Sequence, residues 1–178
     1  MFDLYRGNRS DTCRFVLGRA GARPLHVVGL NPSTANRHKA DVTVAKVARM
    51  VSMSGFDGFV MLNLYPLRCL RPADLPRSAD ASLLTRNQQI ILATAKQHDA
   101  PQFWAAWGAD ICRRKFLIQA CQQLADEVAR LGGGWWCYGA SRGPLTRQGH
   151  PRHPSRLSYS GLLQHFDMPL YLSQLKCL

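Results

Sequence analysis

The chain has 178 residues, 46% of them hydrophobic, enough apolar material for one sizeable core, so a single domain spanning residues 1–178 is expected. Its 23 Lys+Arg against 11 Asp+Glu leave a formal charge of +12, which must show as broad positive surface. Nucleic acid is the first candidate partner of such a surface, although a merely solvated basic face has the same composition. Met1 to Arg6 lacks an apolar signal core and no apolar run is long enough to cross a bilayer, so the sequence excludes a membrane span and predicts a soluble, cytoplasmic protein.

Taken in order, Cys13 to Leu17 reads as a first strand and Leu25 to Leu30 as a second, joined by a turn over Gly18 to Pro24. Gly29-Leu30-Asn31-Pro32-Ser33-Thr34-Ala35 then carries the chain from a buried strand into a tight loop. Asp41 is placed to cap a helix whose Val44, Val47, Ala48 and Val51 share one face. Gly55 to Gly58 ends it, and Phe59 to Leu64 is an apolar strand of the buried, parallel kind. Pro66, Pro72 and Pro76 make Tyr65 to Arg77 an ordered loop. A helix over Ala81–Gln97, a strand over Gln102–Ala106 ending at Trp107-Gly108, and a helix over Cys112–Arg130 follow. Trp135 to Tyr138 is the last clear strand. Gly139 to His153 is a basic, glycine-containing loop, and a final segment runs from Tyr159 to Leu172.

Strands alternating with helices imply right-handed crossovers, hence a three-layer α/β/α sandwich around a mostly parallel sheet. The strand ends then share one rim, where ligands bind in open α/β folds, and Asn31, Asn63, Trp107-Gly108 and the loop after Tyr138 converge on it. The six cysteines, Cys13, Cys69, Cys112, Cys121, Cys137 and Cys177, have no paired spacing. They support neither a zinc site nor a disulfide framework, and most are expected to be reduced.

Two motifs at opposite ends of the chain suggest a chemistry. Gly29-Leu30-Asn31-Pro32, followed much later by His153-Pro154-Ser155-x-Leu157-Ser158, resembles the paired signatures of the uracil-DNA glycosylase superfamily. Leu62-Asn63 and Trp107-Gly108 resemble that superfamily's intervening strand ends. More narrowly, Leu30-Asn31-Pro32-Ser33-Thr34-Ala35, Asn63-Leu64-x-x-Leu67-Arg68, Ala106-Trp107-Gly108 and Pro151-Arg152-His153-Pro154 resemble an uncharacterised bacterial and phage family. The superfamily resemblance implies a uracil-DNA glycosylase-like fold and hydrolysis of an N-glycosidic bond in DNA, more than RNA, by base flipping. No metal or other cofactor and a monomer are expected.

In that chemistry the base leaves as an anion held by a donor, while water is aimed at the anomeric carbon. His153, as a neutral imidazole, suits the first task. Asn31 can hold the water but cannot take its proton. Asn63 offers a donor and an acceptor side by side, suited to a Watson–Crick edge. Gly29, Pro32, Ser33 and Trp107 complete the expected pocket. Ser33 stands where the strictest uracil-specific members carry Tyr, which implies a roomier pocket and a modified or larger base.

Leu157 falls at the superfamily's apolar wedge. Arg142, Arg147, Arg152, Ser155 and Arg156 are expected on phosphates. No aromatic lies between Ser33 and Met50 to stack on a base, so Trp107, Tyr65 or Trp136 would have to serve. Asp41 would be a general base only if its loop folds back; helix capping is its simpler role. Taken singly, Asn31, Asn63 and His153 also suit turn, cap and strand-end duties. A catalytically silent nucleic-acid binder and an enzyme on free nucleosides or nucleotides remain the alternatives.

Overall fold

The computed structural model describes residues 1–140 and 142–175; Ser141, in the expected basic loop, and Cys177 lie outside them. Seven strands form one sheet: β1 Leu4–Gly7, β2 Arg14–Arg19, β3 Pro24–Gly29, β4 Gly58–Asn63, β5 Gln102–Ala105, β6 Gly134–Gly139 and β7 Leu162–His165. Their order is β1-β2-β4-β3-β5-β6-β7. The helices are α1 Val42–Met53, α2 Ala81–Ala95, α3 Lys115–Arg130 and α4 Met168–Gln174.

The four central strands, β4-β3-β5-β6, are parallel, whereas β1, β2 and β7 run antiparallel to their neighbours. The sheet is therefore mixed, not mostly parallel. Connection length explains the β1–β2 pair, because residues 8–13 are too few for the crossover that parallel neighbours require.

Alternate residues of the central strands feed two separate cores. Leu25 and Val27, Phe59 and Met61, and Trp104 pack on the α1 face with Val44, Val47 and Met50. Val28, Val60, Leu62, Phe103 and Ala105 pack on the other face, with Ile91 of α2 and Leu117, Cys121 and Leu124 of α3. A strand buried on both sides must be apolar at every position, and β3 and β4 are buried throughout. Their apolar runs are legible for that reason.

The expected elements shift mainly at the edges. β1 and β7 are short and half exposed, so neither carries a hydrophobic signature. α3 starts at Lys115 rather than Cys112, because residues 109–113 form a 3-10 turn and Arg114 is extended. The Arg114 guanidinium holds the proline-rich loop there, donating to the carbonyls of Ala73, Leu75 and Pro76 at 2.7–3.0 Å. Cys13, Cys69, Cys121 and Cys137 are free thiols, as expected of most of the cysteines.

Topology fixes where a ligand would sit. The chain leaves β3 toward β4 on one side, whereas from β5, its other neighbour, it continues to β6 on the opposite side, so the loops after β3 and β5 diverge. The crevice between diverging loops at such a reversal, beyond the carboxyl ends of the strands, is the favoured binding position.

Candidate active site cleft

A cleft of about 460 Å³ opens at that position. It is lined by the ends of β3 (Gly29, Leu30, Asn31) and β4 (Met61, Asn63), by Trp107 and Gly108 after β5, and by Arg152, His153, Ser155 and Arg156. Segments far apart in sequence thus share one concavity.

Asn31 is clamped through its amide nitrogen, which donates to Pro32 O at 3.0 Å and Cys69 O at 2.9 Å. With both N–H groups used, Oδ1 is left as an acceptor for a ligand or water. Pro32 is buried and does not line the cleft; its carbonyl also accepts from Cys69 N at 3.0 Å, so it ties the loop after β3 to the loop after β4. Ser33 lines the cleft, and its carbonyl accepts from Arg68 Nη1 at 2.6 Å.

Asn63 is 1% exposed, and neither Nδ2 nor Oδ1 has a protein partner. Buried amides are almost always satisfied, so an orphaned one lining a cleft is a candidate recognition group. Its backbone is fixed from below, where Asn87 Nδ2 donates to the carbonyls of Asn63 at 2.9 Å and Leu64 at 3.3 Å.

His153 reaches the cleft from the carboxyl-terminal loop. The N–H of Ser155 donates to its Nδ1 at 3.3 Å, and the Ser155 hydroxyl lies 2.8 Å from the same atom. Because a backbone N–H can only donate, Nδ1 is an acceptor and the neutral ring carries its proton on Nε2. Burial lowers the His153 pKa and Arg156 lowers it further, while Asp41 and Asp110 pull it up. Gly108, at φ +72°, sits against it: a Cβ there would lie 3.5 Å from the His153 Cβ.

Other expected residues take varied places. Trp107 lines the cleft but is buried, its indole donating to Tyr171 Oη at 3.1 Å and lying edge-on to Trp135. Tyr65 and Trp136 do not line the cleft: Tyr65 packs on Phe116, and Trp136 donates to Gln102 Oε1 at 2.7 Å. Arg152 lines it while bracing the basic loop through the carbonyls of Gly143 at 3.1 Å and Arg142 at 3.3 Å. Arg142, Arg147 and Arg156 are exposed. Leu157 is 6% exposed and packs in the α1-face core, so it does not project as a wedge; Lys46 of α1 holds its carbonyl at 2.8 Å.

Asp41 serves both readings in part. It caps α1, Oδ1 accepting from Val44 N at 2.9 Å and Oδ2 from Ala35 N at 3.3 Å, and it lines the cleft. Sequence reasoning missed Arg14 and Asp110, which also line it, and gave no site role to Arg68, the last residue of a quoted motif, which braces it. An arginine at the start of an otherwise apolar strand was the available signal for Arg14. Among the described residues no group of three or more His, Cys, Asp or Glu could hold a metal ion, and no helix is long and apolar enough to cross a membrane.

Residues 14–155 match the family described as "Protein of unknown function (DUF1643)", and the chain belongs to that family. No curated protein and no solved structure matches it significantly.

Proposed function

We propose that the protein is a nucleic-acid base glycosylase that hydrolyses the N-glycosidic bond of a damaged or modified base in DNA, on a three-layer α/β/α fold of the uracil-DNA glycosylase kind. The observation that carries this reading is the Asn63 amide, buried at a strand-end cleft with both polar atoms unpartnered. A flipped base would supply the missing donor and acceptor.

In this reading water held at Asn31 Oδ1 attacks the anomeric carbon. The C–N bond breaks and its electron pair stays on the base, whose oxygen accepts a hydrogen bond from His153 Nε2–H. The water's proton passes to solvent, since an amide cannot take it. The exposed Arg142, Arg147 and Arg156 would hold phosphates on either side.

The test is a base-release screen on DNA and RNA carrying modified bases, scored by strand breakage after alkali. His153→Ala is expected to abolish release, and absence of product from every substrate at every pH would sink the reading.

A second reading, a silent nucleic-acid binder, is favoured by the two carboxylates of the cleft: both Asp41 oxygens accept from backbone N–H groups and Asp110 is paired with Arg113, so neither is an unengaged base. It predicts salt-sensitive binding that survives His153→Ala. The burial of Leu157 favours the third, an enzyme on free nucleosides, which needs no wedge. Cleavage of nucleosides without duplex binding would select it.

A further inference from the structure

We propose that Arg14 is a specificity-determining residue of the cleft, and that the heterocycle admitted there carries an anionic substituent. The heterocycle rests on the reading of Asn63 given above; the anion rests on Arg14 alone.

Arg14 opens β2, an antiparallel flank strand, so its end of β2 meets the carboxyl-terminal rim of the parallel strands. Its N–H donates to Pro66 O at 2.9 Å. The side chain is 2% exposed and lines the cleft together with Gly29, Met61 and Asn63. Nη1 donates to Ala35 O at 3.2 Å, whereas Nε is buried with no partner at all.

A carbonyl satisfies one N–H but neutralises no charge, and an uncompensated buried cation is expensive. The surrounding acidic groups, Asp41 and Asp11, compensate it only across space, with no direct ion pair to Arg14. Arg68 donates to the same Ala35 carbonyl at 2.9 Å and adds a second positive charge, which is itself paired with Asp11 at 3.0 Å. Asp41 attracts Arg14 across space, but both of its oxygens are already engaged by Ala35 and Val44. Burial and Arg68 bring the guanidinium pKa down to about 10, so it remains a cation at neutral pH. The buried lining thus offers an amide edge from Asn63 and an incompletely balanced guanidinium from Arg14, with the small Ser33 leaving room between the walls. An anion on the ring would meet the guanidinium while the ring edge meets the amide.

The experiment is calorimetry of the full chain with uracil, 5-carboxyuracil, 6-carboxyuracil and inorganic phosphate, on the native protein, Arg14→Gln and Arg14→Lys. At least one carboxylated base is expected to bind about tenfold or more tighter than uracil, the scale of one charge-assisted hydrogen bond. Arg14→Gln should reduce that ratio to near one by weakening the carboxylated base far more than uracil, and Arg14→Lys should keep part of it. The native ratio stands as a test even if Arg14→Gln fails to fold. Equal affinity for charged and uncharged bases, or a preference that survives Arg14→Gln, overturns the proposal. Phosphate binding at the carboxylated base's affinity does so too, because it would place a backbone or free phosphate at Arg14.

Base release from DNA, measured in parallel, separates the two ideas. Release of charged and uncharged modified bases at equal rates, in the native protein and in Arg14→Gln alike, refutes the anion and keeps the glycosylase. Arg14-dependent binding of a carboxylated base without release from any DNA does the reverse.

Discussion

Gly29 and Asn63 stand side by side in register on β3 and β4, and a Cβ on Gly29 would come within 3.0 Å of Asn63 Oδ1. The missing side chain gives the amide its room. Gly29→Ala is therefore expected to push the amide a few tenths of an ångström and weaken ligand binding with a small change in melting temperature. Asn63→Leu should separate function from stability more sharply. Replacing an unpartnered buried amide by an apolar group of similar shape should raise stability by about 1 kcal/mol while removing binding. Thermal melts and ligand titration on the same preparations check both, and a destabilised Asn63→Leu would show that the amide has a structural partner.

In the proposed reaction His153 would act as a neutral donor, and burial lowers its pKa. Base release should accordingly hold level as pH falls through the ordinary histidine range and decline only at more acid pH, where Nδ1 takes up a proton and Ser155 loses its acceptor. Asp41 and Asp110 pull that pKa up, so Asp41→Asn should move the acid limb to lower pH. Asn still caps a helix well, which keeps α1 intact. A pH–rate profile unmoved by Asp41→Asn would count against the coupling.

His26 gives a stability prediction free of the functional reading. It is fully buried, stacked on Phe103 at 4.9 Å, and its pKa falls from 6.5 to about 4 through burial, with His98 lowering it further. Between those values the unfolded chain binds a proton that the native chain refuses, so stability rises with pH. The contribution is complete above pH 6.5 and lost as pH falls to about 4, with a ceiling of about 3 kcal/mol. Denaturant titrations from pH 4 to 7 should show a flatter curve for His26→Phe than for the native protein. Parallel curves would disprove the assignment.

The exposed arginines of the carboxyl-terminal loop predict a salt effect. Each of Arg142→Ala, Arg147→Ala and Arg156→Ala should weaken DNA binding and reduce the slope of log K against log salt by about one. An unchanged slope in all three would make the loop a solvated face.

The parallel core was legible because β3, β4 and β5 are buried on both sides and must be apolar almost throughout. The strand-end positions of Asn31, Asn63 and Trp107 followed from that. The edges were not, since β1 and β7 each bury too little to impose a pattern. Arg14 escaped notice, and Arg68 was seen only as part of a motif, because both reach back to carbonyls of the loop at Ser33 and Ala35, and a backbone acceptor leaves no mark in the sequence. Leu157 was placed at a wedge by resemblance alone, whereas it is buried against α1, which supplies it with a core.

Lys46 of α1 donates to the carbonyls of Ser155 at 3.1 Å and Leu157 at 2.8 Å, across separations of 109 and 111 residues. Bringing such distant segments together costs the chain more entropy than any local pairing, so contacts of this kind form late. The first half of the cleft is built with β3 and β4, but the segment bearing His153 has to dock onto a sheet already in place. In refolding followed by a probe near α1 and another in the sheet, the cleft should close last.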